Sequence, residues 1–273
     1  MESSEVEVLQ NVKVQEIDSY QQFMSIYRPA SRSASLSPAL LYVHGGGFQN
    51  GHPDEAAWVG EYLVKEFGMT VFSTSYRLAT PENPTFPQPV QDVADAWRWV
   101  QAHAEDWGID AQNVGIGGSS AGGMLSTMVT LTSQLPDLAG GGNIPGAEIR
   151  PAYLLDYWGP LDFISRWFDN GESPGAESVM LGCAYEKNPT LYHFASPLSY
   201  VRSGLPPALL MYGKQDPVVH PRQAKLGAAA WQAYGNRAEV VMVDNIGHGV
   251  VGDNLDSRLA QLHHTAAFLK SLA

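Results

Sequence analysis

The residues with chemistry in them lie in two glycine-framed segments and two late loops. Gly117-Gly118-Ser119-Ser120-Ala121-Gly122-Gly123 stands between an apolar run and a helical pattern. Read as G-x-S-x-G, it lifts Ser120 onto a sharp strand-to-helix turn, beside a helix N-terminus that favours developing negative charge. A side chain at Gly118 or Gly122 would collide with that turn or with neighbouring strands. Ser119 is a weaker rival, because the residue two places on is Ala121 rather than glycine. A serine so exposed can attack an acyl carbon if a base takes its proton. Asp216, in Gly213-Lys214-Gln215-Asp216-Pro217, and His248, in Gly247-His248-Gly249, complete the order Ser, Asp, His along the chain. Histidine, with an unperturbed pKa of about 6.5, can take the serine proton and hand it to a leaving group. The aspartate would fix its tautomer and stabilise the imidazolium.

His44-Gly45-Gly46-Gly47-Phe48 directly follows another apolar run. Glycine N–H groups approach a carbonyl oxygen more closely than bulkier residues allow, so Gly46, Gly47 and Ala121 are the candidate oxyanion donors. His44, at the strand end beneath the loop, reads as its anchor rather than as a base. Rival assignments exist for the other members. Asp244 and Asp253 flank His248, but would need an unusual loop to face its far ring nitrogen. Asp216 could instead cap a turn before Pro217. His52, His103, His193, His220, His263 and His264 read as surface, helix or lid residues.

These groups meet only if the chain carries them to one edge. Apolar runs at 39–44, 70–75, 113–117, 152–158, 208–212 and 239–243 read as strands. Helical patterns cover 56–67, 90–103, 121–134, 221–234 and 258–271. This alternation predicts an α/β fold with a mostly parallel sheet and helices on both faces. The four prolines of 81–89 predict a loop, as does the Gly- and Pro-rich stretch 135–151. An insert over 161–205, with a helix near 177–181, suits a small lid. The whole of 1–273 reads as a single domain.

Composition narrows the classes. The 273 residues are 44% hydrophobic and 16% charged, enough for one large core. A net charge of -12 argues against nucleic acid as a partner. Cys183 is the only cysteine, which excludes an intramolecular disulfide and suits a reducing compartment. The start, Met1-Glu2-Ser3-Ser4-Glu5, lacks the basic and apolar pattern of a secretory signal, and no run reaches the length of a membrane span. A cytoplasmic protein with no membrane partner is expected. No histidine pair is spaced as a metal site, and His263-His264 diverge on a helix, so neither metal nor other cofactor is expected. The oligomeric state is open, monomer or dimer.

The chain resembles the α/β-hydrolase-fold esterases of the hormone-sensitive-lipase-like group, and more closely the bifunctional feruloyl and acetyl xylan esterases. The resembling segments are 41–48, 75–87 (with Tyr76-Arg77-Leu78-Ala79), 115–123, 157–161, 195–201 and 209–219. They span most of the chain from about residue 38 to 250. The resemblance implies the α/β-hydrolase fold, the triad Ser120, Asp216 and His248, and an oxyanion loop at Gly46 and Gly47. Lipase-like members usually carry an acidic residue where this chain has Ser119, and a large N-terminal cap where only about 37 residues precede the first clear strand. Both departures favour small-lid carbohydrate-esterase relatives. Asp216-Pro217-Val218-Val219 is shared with dienelactone hydrolases and some prolyl peptidases, so it speaks for the fold more than for the substrate.

The expected activity is hydrolysis of short acyl or aryl esters, acetyl and feruloyl esters of plant carbohydrates among them, through a serine acyl-enzyme. Amide hydrolysis by a formamidase or peptidase of this fold is the alternative, and a non-catalytic receptor on the same fold a third. Phe48, Tyr76, Trp158, Met180 and Leu181 are the candidate pocket walls, with Trp167 and Phe168 beside them. Aromatic residues of this kind also serve as ordinary core.

Overall fold

The computed structural model describes residues 5–31, 35–146, 148–249 and 255–272, with side chains in the last segment from Arg258 onward. Among them, eight strands form one sheet: β1 (Val6–Ile17), β2 (Tyr20–Pro29), β3 (Ser37–Val43), β4 (Thr70–Thr74), β5 (Ile109–Ser119), β6 (Leu154–Tyr157), β7 (Ala208–Gly213) and β8 (Ala238–Val243). Their spatial order is β1-β2-β4-β3-β5-β6-β7-β8. The β1–β2 and β2–β4 pairs are antiparallel and the others parallel. Strands β4, β6 and β7 are buried at every residue. Strands covered on both faces need such unbroken apolar runs. Each large apolar side chain fully buried here stabilises the fold by about 1.5–3 kcal/mol.

The helices are α1 (Ala57–Phe67), α2 (Gln88–Ala102), α3 (Ala104–Trp107), α4 (Ala121–Thr132), α5 (Phe163–Asp169), α6 (Ala176–Leu181), α7 (Pro189–Phe194), α8 (Arg222–Ala233) and α9 (Leu255–Lys270). They cover both faces of the sheet, giving the α/β-hydrolase architecture. All of α4, which begins just after Ser120, is buried. Glycines in the left-handed conformation stop α1 at Gly68 and α3 at Gly108. No helix among the described residues is long and apolar enough to cross a membrane.

Three segments differ from the sequence reading. The hairpin β1–β2 lies ahead of what reads as the first clear strand. β1 is interrupted by register shifts between Leu9 and Val12 and between Lys13 and Gln15, with Asn11 at φ 57°. An irregular, half-exposed edge strand mixes polar and apolar residues and gives only a faint period-two signal. The proline loop ends sooner than 89, because α2 begins at Gln88 and takes Pro89 in its first turn, where a missing N–H costs nothing. The insert 161–205 holds three short helices rather than one, packed around Phe163, Trp167, Tyr185 and Tyr192. Runs of six or seven residues are too short to show helical periodicity in sequence.

Candidate active site

Ser120 separates β5 from α4 and has φ 54° and ψ −119°, outside the helical and extended regions. The turn is that sharp because the residues two places away on either side, Gly118 and Gly122, have no side chains. A Cβ at Gly118 would stand 2.5 Å from the Val43 carbonyl oxygen, and one at Gly122 would stand 2.0 Å from it. The Ser120 N–H donates to the Tyr157 carbonyl at 2.8 Å, tying the turn to β6. Ser119, in the last position of β5, lines one cavity together with Ser120.

The Ser120 Oγ is 2.8 Å from His248 Nε2. His248 Nδ1 is 2.7 Å from Asp216 Oδ2. An ionised carboxylate only accepts, so Nδ1 carries the proton and Nε2 is free to accept from the serine hydroxyl. The other carboxylate oxygen, Asp216 Oδ1, accepts from the N–H groups of Val218 and Val219, both at 2.8 Å. Three hydrogen bonds therefore orient the Asp216 carboxylate. Asp216 follows β7 and His248 follows β8, neighbours in the sheet, so strand order brings residues far apart in sequence to one edge. The rings of Trp158 and His248 meet edge to face, 6.4 Å between centroids. Of the rival acids, Asp244 points to solvent and pairs with Lys214 at 2.7 Å, while Asp253 lies outside the described residues.

The glycine loop curls against this row. Gly46 and Gly47 have φ of 104° and 61°. A Cβ at Gly46 would stand 2.0 Å from the Asn50 carbonyl oxygen. The Gly46 carbonyl accepts from the N–H groups of Gln49 and Asn50, closing a turn. Ala121 opens α4, so its N–H has no partner within the helix. Gly46, Gly47 and Ala121 line one cavity with Ser120 and His248. Beneath the loop, His44 stacks on Tyr76 at 4.4 Å between ring centroids, and its Nδ1 is 2.8 Å from the Gly45 carbonyl oxygen. Burial pushes the His44 pKa down to about 4, so its ring stays neutral and serves the loop.

The cavity has a volume of about 380 Å³. Phe48 and Trp158 line it, but Tyr76, Met180 and Leu181 do not. Tyr76 is buried under the glycine loop, its hydroxyl directed to the carbonyls of His44 and Gly45. Met180 is fully buried and its carbonyl accepts from Thr85 and Phe86, fastening the insert to the proline loop. Leu181 and Trp167 are likewise core, and Phe168 is 53% exposed. The insert has to bury an apolar face of its own, and these side chains supply it. Among the walls that the sequence does not announce are Trp58, Glu55, Arg166 and Glu177. Trp58 is stacked on Trp158 at 6.2 Å. Arg166 and Glu177 come from separate short helices and pair at 2.9 Å, a contact that no motif announces.

The family model described as BD-FAE matches residues 24–230. Esterase LipQ of Mycobacterium tuberculosis is 30% identical over 212 residues, 76% of this chain and 49% of LipQ, so the chain spans about half the length of that curated relative. A truncated carbohydrate esterase from gut microbiota superposes with a TM-score of 0.81 at 23% identity, covering 98% of each chain, which bears on the fold. Esterase 2 of Thermogutta terrifontis, in a structure with propionate bound, is 28% identical with a TM-score of 0.75, covering 100% of this chain and 95% of that one.

Proposed function

The chain belongs to the BD-FAE family of α/β-hydrolase-fold esterases, and from that premise we propose that it is a carboxylic ester hydrolase working through a serine acyl-enzyme. The observation that carries this reading is the continuous hydrogen-bonded row Ser120–His248–Asp216 at a cavity edged by the glycine loop. In the proposed cycle, His248 Nε2 takes the Ser120 proton as Oγ attacks the ester carbon. The oxyanion that forms is held by the N–H groups of Gly46, Gly47 and Ala121. His248, now an imidazolium steadied by Asp216, gives its proton to the departing alcohol. Water then attacks the acyl carbon as the same Nε2 takes its proton, and the acyl–Oγ bond breaks as His248 returns that proton to Ser120, releasing the acid and the free hydroxyl.

The substrate proposed is a short acyl or aryl ester. A cavity of about 380 Å³ is near the small end for ligand sites and must take both acyl group and part of the alcohol. The Thermogutta enzyme was solved with propionate, a three-carbon acid, bound, which supports a short acyl group. The aromatic walls Phe48, Trp58 and Trp158, with the family resemblance, extend the proposal to acetylated xylan fragments and methyl ferulate. A panel of p-nitrophenyl acetate, butyrate and octanoate, methyl ferulate, acetylated xylo-oligosaccharides and matched amides tests it, alongside labelling by a fluorophosphonate. Labelling that Ser120→Ala abolishes, with turnover of the short esters, is the expected result. Turnover of amides alone makes the protein an amidase, and absence of both labelling and turnover overturns the enzymatic reading.

A further inference from the structure

Beyond the triad, we infer that Arg166 is a positioning residue that holds the acid turn from across the cavity, a role that rests on the proposed Ser120–His248–Asp216 chemistry. Arg166 lies on α5, in the insert, and is 6% exposed. Its Nε donates to Glu177 Oε2 on α6 at 2.9 Å, and its Nη1 donates to the carbonyl of Val218. Val218 is thus gripped at both ends of one residue. Its C=O is held by the guanidinium, and its N–H donates to Asp216 Oδ1 at 2.8 Å. Asp216 Oδ2 in turn receives His248 Nδ1 at 2.7 Å.

This grip has a purpose because the middle of the turn is open to solvent: Asp216 and Val219 are buried, but Pro217 between them is exposed and Val218 is 44% exposed. A turn free to shift would carry the two Oδ1 donors with it and tilt the carboxylate off the His248 ring. A guanidinium suits the task, since it is planar and rigid and its Nε–H and Nη1–H point in fixed, different directions. One of them is committed to Glu177 and the other to the Val218 carbonyl. The ammonium of lysine, a point charge on a flexible stem, cannot reproduce that fork. The buried Arg166–Glu177 pair contributes little net stability over an apolar pair of its size, although removing one partner alone is costly. Its service is therefore geometric.

The test uses the full chain with Arg166→Lys and Arg166→Gln, read by steady-state hydrolysis of p-nitrophenyl acetate and by the low-field proton resonance of His248 Nδ1–H. Lysine keeps the charge beside Glu177, and glutamine keeps a neutral donor toward Val218. The expected result in a folded variant is a kcat lower by roughly 10- to 100-fold, KM within about twofold of wild type, and a His248 resonance moved upfield or broadened. Wild-type kcat with the resonance in place overturns the role. So does a loss of kcat with the resonance unmoved, or a raised KM with kcat unchanged, which would make Arg166 a substrate contact. Failure of both variants to fold assigns it a structural role only, and overturns the proposal too. The resonance is readable whether or not any ester is turned over, so a wild-type protein that resists fluorophosphonate labelling sinks the esterase reading separately.

Discussion

Ser120 and Ser119 are adjacent, yet only the Ser120 hydroxyl meets His248, because the turn gives Ser120 a φ of 54° and lifts it above the sheet. Such conformations persist where the surroundings over-determine them. Ser120→Ala is expected to lower kcat by about 10⁴–10⁶ while leaving thermal stability near wild type; Ser119→Ala should cost far less, and equal losses would reverse the assignment. Asp216→Asn keeps the shape but, under the proposed roles, favours the wrong histidine tautomer, for which a drop of about 10⁴ in kcat is expected. Asp244→Asn, a change at a solvent-facing partner of Lys214, serves as the comparison and should leave kcat within about twofold. A larger loss at Asp244 than at Asp216 would move the acid to the other loop.

At the scale of elements, the site depends on how closely α4 approaches β3 and β6. Gly122 lets α4 ride on the Val43 carbonyl, and a methyl group there would stand 2.0 Å from that oxygen. Gly122→Ala is therefore expected to destabilise by about 1–3 kcal/mol or more, read as a lowered unfolding midpoint in denaturant; an unchanged midpoint would mean the turn relaxes freely. Asp156 on β6 sits under the same turn, accepting from the Gly159 N–H at 2.9 Å and the Tyr212 hydroxyl at 2.7 Å. Burial pushes its pKa up from 3.8 to about 7. Between those values the native chain binds more protons than the unfolded one, so this group makes stability fall as pH rises through the window. Asp156→Asn removes that slope. Melting temperatures of wild type and variant at pH 5 and pH 8 should show the wild type losing more on going to pH 8, and parallel losses would remove Asp156 as the cause.

For the whole molecule, the insert 161–205 gives the cavity Arg166, Ala176 and Glu177 but spends its aromatic side chains on its own core. Phe163, Trp167, Tyr185 and Tyr192 pack on one another, so little apolar wall remains for an acyl chain. Each further buried CH₂ would contribute about 0.8 kcal/mol only if such a wall received it. kcat/KM for p-nitrophenyl acetate or butyrate is expected to exceed that for the octanoate by about tenfold or more. A maximum at octanoate or longer would refute the short-acyl proposal.

Much of this was open to reading in one dimension because it rests on local chemistry. The glycines around Ser120 and at Gly45–Gly47 report turns that no side chain could enter, and the apolar runs of β3, β4 and β7 report strands buried on both faces. Loops after successive late strands named Asp216 and His248 as candidates that share an edge. Tertiary structure decided what local pattern does not encode. Tyr76, Met180 and Leu181, apolar residues fit for a pocket wall, became core because the glycine loop and the insert each needed a buried support. Trp58 came to the cavity through the placement of α1 and Glu55 through the short 3-10 turn just before it, and Arg166 and Glu177 through the folding of two short helices against the turn after Asp216. A side chain's type and neighbours in sequence determine what it can do, but only the packing of distant elements determines what it faces.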